Sequence, residues 1–139
     1  MISCSPEETF AWGMKLGQRV KAPRAICFFG NLAAGKTTFI KGLVAGAAGI
    51  SPDQVNSPTF VLLNIYQGKV SVFHFDLYRL QGPEEFFNLG FEEYWEGLCC
   101  IEWAERIESI LPKNSILIRM HALDESKREI SIEGLDLCC

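Results

Sequence analysis

The chain has 139 residues, of which 48% are hydrophobic and 22% charged, with a net charge of −4 and a pI of about 5.2. That length and apolar content suit a single domain spanning 1–139, and the acidic balance supplies no general field to hold nucleic acid by charge. No apolar run reaches the roughly eighteen residues of a membrane span and no charged, apolar, cleavable leader is visible, so a soluble, cytoplasmic protein without membrane contacts is expected.

Ser5-Pro6-Glu7-Glu8 predicts a helix start. Serine at the cap accepts a first-turn amide, proline at the first helical position has no N–H to leave unpaired, and glutamate three residues after the serine completes a capping box. Phe10, Met14, Gly17 and Val20 recur at helical spacing, and Pro23 places the end near Lys21. Thr9, on the first turn, is either structural or within reach of a nucleotide base.

Ala25-Ile26-Cys27-Phe28-Phe29 is a short apolar run suited to a buried strand. It feeds Gly30-Asn31-Leu32-Ala33-Ala34-Gly35-Lys36-Thr37-Thr38, which fits G-x-x-x-x-G-K-[ST], and Thr38 to Ala48 continues with helical character. Strand, glycine-bearing turn and helix in that order form a phosphate-binding loop. Backbone N–H groups and the positive helix end face the phosphates, Lys36 adds a mobile charge, and Thr37 offers its hydroxyl to magnesium.

Phe39, Leu43 and Val44 give this helix an apolar face, and the stretch from Gly46 to Ser51 is expected to end it. Residues 52–57 form a polar loop. Phe60 to Tyr66 and Val70 to Asp76 are β-rich runs about Gln67-Gly68-Lys69, which predicts a hairpin. Ser57-Pro58-Thr59-Phe60 precedes it, either as a proline turn that starts the strand or as a switch in which a threonine hydroxyl senses the terminal phosphate. Pro83 to Leu89 predicts a short helix capped by Gly90, and Phe91 to Trp95 a further turn. The acidic face of this segment is either solvated or a docking surface. Leu98 to Glu102 is a compact strand, Trp103 to Leu111 a helix stopped by Pro112, and Ser115 to Met120 and Arg128 to Ile132 are the last strands. The fold class is α/β: a single P-loop NTPase domain with a mixed, centrally parallel sheet and antiparallel edge hairpins.

Six cysteines occur without C-x-x-C spacing. Cys99-Cys100 and Cys138-Cys139 are adjacent pairs, while Cys4 and Cys27 stand alone, so a reduced compartment is expected. Cys27 and one of Cys99 or Cys100 fall in core strands as small hydrophobes.

A magnesium nucleotide needs a carboxylate at the C-terminal end of a strand beside the phosphate loop. Asp76 and Glu102 both end such strands. They form a pair with separate roles, one touching magnesium directly or through water and one positioning or polarising the nucleophile. For either alone, the alternative is capping the turn that follows. His74 alternates with Asp76 on one strand face and is assigned a structural role. Arg79 either steadies phosphate charge or pairs with a neighbouring acid, and Trp103 packs against the site, a partner or the core. Ser57, Thr59, Arg79 and Trp103 are the possible switch residues.

Together, Ser5-Pro6-Glu7-Glu8-Thr9, the loop at 30–38, Ser57-Pro58-Thr59-Phe60, His74-Phe75-Asp76-Leu77-Tyr78-Arg79 and Ile101-Glu102-Trp103 resemble the bacterial tRNA threonylcarbamoyladenosine biosynthesis ATPase family, TsaE or YjeE. Glu84-Glu85 through Gly90-Phe91-Glu92-Glu93-Tyr94 is similar too, and the match runs in order from about Ser5 to Arg128. The His-x-Asp-x-Tyr-Arg segment is more diagnostic than the phosphate loop. The resemblance implies an ATPase using ATP and Mg2+ that works with two partners, TsaB and TsaD. Their joint product is threonylcarbamoyl on N6 of adenosine 37 in tRNAs reading codons that begin with A, with tRNA met only through the complex. By the same resemblance Thr37 and Glu102 match magnesium ligands, Asp76 matches the catalytic acid, and Gly35, Lys36, Thr37 and Thr38 hold the phosphates. Thr9 and Arg128 fall near the family's nucleotide contacts.

Against the family's usual Gly-Asp-Leu-Gly-Ala-Gly-Lys-Thr-Thr, Asn31 replaces an aspartate and Ala33 a glycine. If the loop needs positive φ at 33, alanine costs on the order of 1 kcal/mol, so Ala33→Gly is expected to tighten ATP binding in a calorimetric titration. Among competing functions, a small-molecule kinase wants an acceptor pocket and an arginine-bearing lid, and a GTPase wants Asn-Lys-x-Asp; the chain has neither an arginine cluster nor that sequence. A nucleotide-dependent interaction module partly merges with the family reading, because a slow ATPase controlling a complex is both.

Overall fold

A computed structural model describes residues 1–30, 35–56, 58 and 60–135. The expectations placed on Asn31, Leu32, Ala33, Ala34, Ser57, Thr59, Cys138 and Cys139 lie outside the described residues.

The elements in chain order are β1 (Ile2–Ser3), α1 (Pro6–Arg19), β2 (Arg24–Phe29), α2 (Lys36–Ala48), β3 (Leu63–Gln67), β4 (Ser71–Asp76), α3 (Pro83–Asn88), β5 (Leu98–Glu102), β6 (Ile116–Ala122) and β7 (Arg128–Glu133). Single turns of 3-10 helix occupy Pro52–Gln54 and Phe91–Glu96, and a longer 3-10 stretch Ala104–Ile110. The strands form one sheet in the order β1-β7-β6-β2-β5-β4-β3. β2 pairs in parallel with β5 and β6, and β5 in parallel with β4. The β3–β4, β6–β7 and β1–β7 pairs at the two sides are antiparallel. This is the mixed α/β sheet, parallel in its centre, that the sequence predicts.

Alternation along the central strands builds a core on each face. β2 is buried over its first five residues and β5 over its whole length, as fits strands covered on both sides. Ile26, Phe28, Val72, Cys100 and Ile118 pack with Leu16, Phe39, Ile40 and Leu43 of α1 and α2. Their neighbours Cys27, Phe75, Cys99 and Ile101 pack with Leu80, Phe86 and Ile107 on the opposite face. His74, Asp76 and Glu102 share the parity of Val72 and Cys100, which sends them toward α2.

Ser5 caps α1 as predicted, its Oγ accepting the Glu8 amide at 3.1 Å. The Glu8 carboxylate reaches back to the Cys4 amide at 3.3 Å, one residue before the cap. α1 and α2 meet backbone to backbone. A Cβ on Gly13 or Gly17 would fall 2.2 Å from the carbonyl oxygen of Phe39 or Leu43, and one on Gly42 or Gly46 would fall 2.1 Å or 2.2 Å from that of Phe10 or Met14. Each helix therefore offers two glycines one turn apart to the other helix's carbonyls. Among the described residues, no helix is long and apolar enough to cross a membrane.

Four boundaries differ from expectation. α2 begins at Lys36, two residues before Thr38, and ends at Ala48 as expected, the chain turning at Gly49, while Gly46 is a contact residue of the helix crossing. β3 starts at Leu63 instead of Phe60: Leu62 has a φ of 71° and donates its N–H to the Pro58 carbonyl, so Phe60 and Val61 lie in an exposed turn. The segment expected as a helix from Trp103 is a 3-10 stretch broken at Ile107, whose φ of −131° is not helical and whose side chain is buried. β1, too short to show a period, pairs Ile2 with Glu129 and Ser3 with Arg128.

Candidate functional site

β2 delivers the chain to Gly30, and α2 starts at Lys36 after Gly35, whose φ of +86° favours a residue without a Cβ. No side-chain hydrogen bond caps the helix at Gly35. Its first-turn amides are the orphan donors that an anion satisfies at a helix N-terminus. Thr37 and Thr38 follow on that turn, both half-buried. Lys36 is buried, donates from Nζ to the Gly30 carbonyl at 2.9 Å, and lies 4.6 Å from the centroid of the Trp103 ring. Burial pushes its ammonium pKa down from the usual 10.5, against the opposing attraction of Glu102, Glu105 and Asp76.

Sheet register brings the two predicted acids together. Asp76 of β4 and Glu102 of β5 are direct partners in the parallel ladder, and Glu102 is in turn partnered with Phe28 of β2. Both carboxylates are buried, with residue exposures of 3% and 4%. Asp76 Oδ1 accepts the Tyr78 amide at 3.0 Å, so this residue also caps the turn that follows it. Glu102 Oε2 lies 2.7 Å from Nε2 of the fully buried His74, and the Glu102 carbonyl accepts the Leu77 amide at 3.1 Å. The next residue, Trp103, takes the left-handed conformation (φ 59°, ψ 43°), which costs a non-glycine residue about 1 kcal/mol and is the kind of strain found at functional sites. Its ring is flanked by Tyr78 at 4.9 Å and by the Arg106 guanidinium at 5.6 Å.

Thr9 and Arg128, far apart in sequence, line one cavity with Gly35 and Thr38, at the start of α2. Thr9 is buried with its hydroxyl 2.6 Å from that of Ser3. Arg128 donates from Nη1 to the carbonyls of Asp124 at 2.8 Å and Lys127 at 3.0 Å, which holds its guanidinium beside the loop joining β6 and β7. Arg79 is exposed and stacks 4.4 Å over the ring of Phe60.

The structure therefore gathers Gly30, Gly35, Lys36, Thr37, Thr38, Asp76, Glu102 and Trp103 at the carboxyl ends of parallel strands, with Thr9 and Arg128 to one side. The oxygen donors, a threonine hydroxyl and carboxylates, fit a hard divalent cation that also takes phosphate oxygens and water. Among the described residues no group of three or more His, Cys, Asp or Glu forms a cage of its own. The sequence places His74 on the face of Asp76 but gives no sign of its contact with Glu102, and nothing in it singles out Tyr66, which reaches His74 only through the folded sheet.

The sequence model of the family described as "Threonylcarbamoyl adenosine biosynthesis protein TsaE" matches residues 3–130. The chain is 41% identical over 133 residues to the tRNA threonylcarbamoyladenosine biosynthesis protein TsaE of Treponema pallidum, covering 94% of this chain and 97% of that one. It is 38% identical to the protein of the same description from Bacillus subtilis, covering 94% and 82%. Among solved structures, the crystal structure of Bacillus subtilis YdiB is similar with a TM-score of 0.78 and 31% identity, covering 100% of this chain and 89% of that one.

Proposed function

The chain belongs to the TsaE family, and on that premise we propose that it is a magnesium-dependent ATPase of tRNA N6-threonylcarbamoyladenosine formation, working with a TsaB–TsaD pair. The observation that carries the reading is the ladder pairing of Asp76 with Glu102 beside the buried Lys36 ammonium. Phosphoryl transfer to water asks little covalent chemistry of a protein; it asks for position and charge.

Gly30 to Thr38 hold the phosphates through backbone amides, and Lys36 supplies a full positive charge. That ammonium is already out of water before nucleotide arrives, so it gives up little further hydration when a phosphate replaces the Gly30 carbonyl. Thr37 and Glu102 would hold magnesium. When bound, the metal neutralises charge on the terminal phosphates. Asp76 orients the attacking water, and Thr9 and Arg128, grouped with Gly35 and Thr38, contact the nucleotide beside the phosphates. An acidic chain is poorly suited to hold tRNA directly, which agrees with tRNA contact through the partner complex alone.

The test is reconstitution of the modification from purified TsaB, TsaD, the carbamoyl-adenylate supply, unmodified tRNA and ATP. Modified adenosine is expected with the wild-type chain and not with Lys36→Ala. Equal product without the chain overturns the reading. Product retained with Asp76→Asn, once that variant is shown to bind but not hydrolyse ATP, assigns the chain to nucleotide-dependent binding instead of hydrolysis.

A further inference from the structure

A chain of hydrogen-bonded polar groups, buried at Glu102, His74 and Tyr66 and reaching the surface at Asn56, runs from the site carboxylate across the sheet to the loop after the first 3-10 turn. His74 places Nε2 2.7 Å from Glu102 Oε2 and Nδ1 3.2 Å from the Tyr66 hydroxyl. That hydroxyl lies 3.3 Å from the Asn56 amide nitrogen and 3.1 Å from its carbonyl oxygen, which also accepts the Asn64 side-chain amide at 3.1 Å. Strand register produces the arrangement. Cys100 is the ladder partner of His74 and Glu102 lies two residues on, on the same face, while Tyr66 stands opposite Val72 on the other side.

The Tyr66 hydroxyl donates to the Asn56 carbonyl and accepts the Asn56 N–H, while the contacts of His74 Nδ1 with that hydroxyl and of Nε2 with the carboxylate take their donor and acceptor roles from the imidazole tautomer. His74 is fully buried and Tyr66 is 7% exposed, so neither ring can turn without breaking bonds that water does not replace.

We propose that His74 is a positioning residue for the Glu102 carboxylate and that Tyr66 ties it to Asn56, coupling the carboxylate to the end of the loop after the first 3-10 turn. The inference rests on the reading of Glu102 as a magnesium ligand. Groups that hydrogen-bond a metal-binding side chain fix its orientation, and their loss typically weakens metal affinity about 10–100-fold. A histidine that merely filled the core would leave metal affinity unchanged.

The test compares two equilibria. ADP binding without metal is measured by calorimetry, and Mn2+ binding to the ADP-loaded protein by loss of the free-ion EPR signal. Glu102→Gln is the reference and should weaken Mn2+ about tenfold or more. His74→Leu should match that loss with metal-free ADP affinity unchanged, which also certifies the fold. His74→Gln, whose amide reaches the former Nε2 position, should recover most of the affinity, and Tyr66→Phe should weaken Mn2+ several-fold. Weakening in Glu102→Gln with none in His74→Leu overturns the proposal. No weakening in Glu102→Gln overturns the metal reading beneath it. Should His74→Leu lose metal-free binding as well, Tyr66→Phe decides, since it removes only a hydroxyl: wild-type Mn2+ affinity there overturns the proposal.

Discussion

The Lys36 ammonium stands 4.6 Å from the centroid of the Trp103 ring while donating to the Gly30 carbonyl, so the residue expected to meet phosphate is already held against an aromatic face. Cation–π attraction for a buried ammonium such as this is worth about 2 kcal/mol, enough to hold a side chain and weak enough for a phosphate to release it. Trp103 thereby becomes a sensor of where Lys36 is. ATP titration is expected to change tryptophan emission, with most of the change lost in Trp103→Phe although Trp12 and Trp95 remain. Calorimetry on that variant should show ATP affinity within about tenfold of wild type, the range left when one such contact is weakened. An undiminished emission change in Trp103→Phe contradicts the contact's role.

Asp76 and Glu102 occupy one rung of the ladder yet are bonded differently, the first to the Tyr78 amide and the second to His74. The proposed function gives them separate roles. Asp76→Asn should lower the hydrolysis rate by about 10²–10³, the usual loss when one preorganised electrostatic group is removed, with little change in nucleotide affinity. Glu102→Gln should lower rate and shift the magnesium dependence to higher concentration. Steady-state assays across magnesium concentrations distinguish the two, and full activity in both variants contradicts the pairing.

The helix crossing predicts a sharp contrast among glycines. Gly13→Ala or Gly42→Ala drives a methyl to 2.2 Å or 2.1 Å from a backbone carbonyl, which only separation of α1 from α2 relieves. A loss of about 3 kcal/mol or more is expected, at the upper end of overpacking effects. Gly82 has nothing within 4 Å of an added Cβ, so Gly82→Ala should stay within about 0.5 kcal/mol of wild type. Urea denaturation of the three variants measures both.

Burial pushes the thiols of Cys27 and Cys99 up to about 12 and that of Cys100 well above its ordinary value; the Ser115 hydroxyl partly offsets the effect at Cys27. These thiols keep their protons in the folded chain while the unfolded chain loses them above pH 9. The unfolded state then binds fewer protons, so stability falls as pH rises from 9 toward 12, by up to about 1.4 kcal/mol per pH unit for each group. Lys36 works the other way: its lowered pKa leaves the folded state with fewer protons below 10.5, so its contribution rises with pH. Three thiols outweigh one amine, and the urea midpoint should drop between pH 8 and pH 10.5, less steeply in Cys100→Ala. Of the four described cysteines, only the exposed Cys4 should react with a thiol reagent in the native state.

Much of this arrangement was legible in the sequence because it rests on local signals. Ser5 and Pro6 start α1, an apolar run and G-x-x-x-x-G-K-[ST] place β2 and α2, and Asp76 and Glu102 end strands where such sites collect ligands. What the sequence hid depends on tertiary register. Gly46 opens the stretch expected to end α2, and only the approach of the Met14 carbonyl shows it as a packing residue within the helix. Phe60 and Val61 have the composition of a strand, but the turn at Leu62 takes them out of the sheet. His74 looked structural because its partner Glu102 is reached only through the β4–β5 ladder.

Partner-gated ATP hydrolysis is tested most directly by measuring turnover of the purified protein, alone and with its cognate TsaB–TsaD pair, with Lys36→Ala as the control. Slow turnover that rises with the pair and vanishes in Lys36→Ala is the predicted result. Demonstrable ATP binding with no response to the pair contradicts the account.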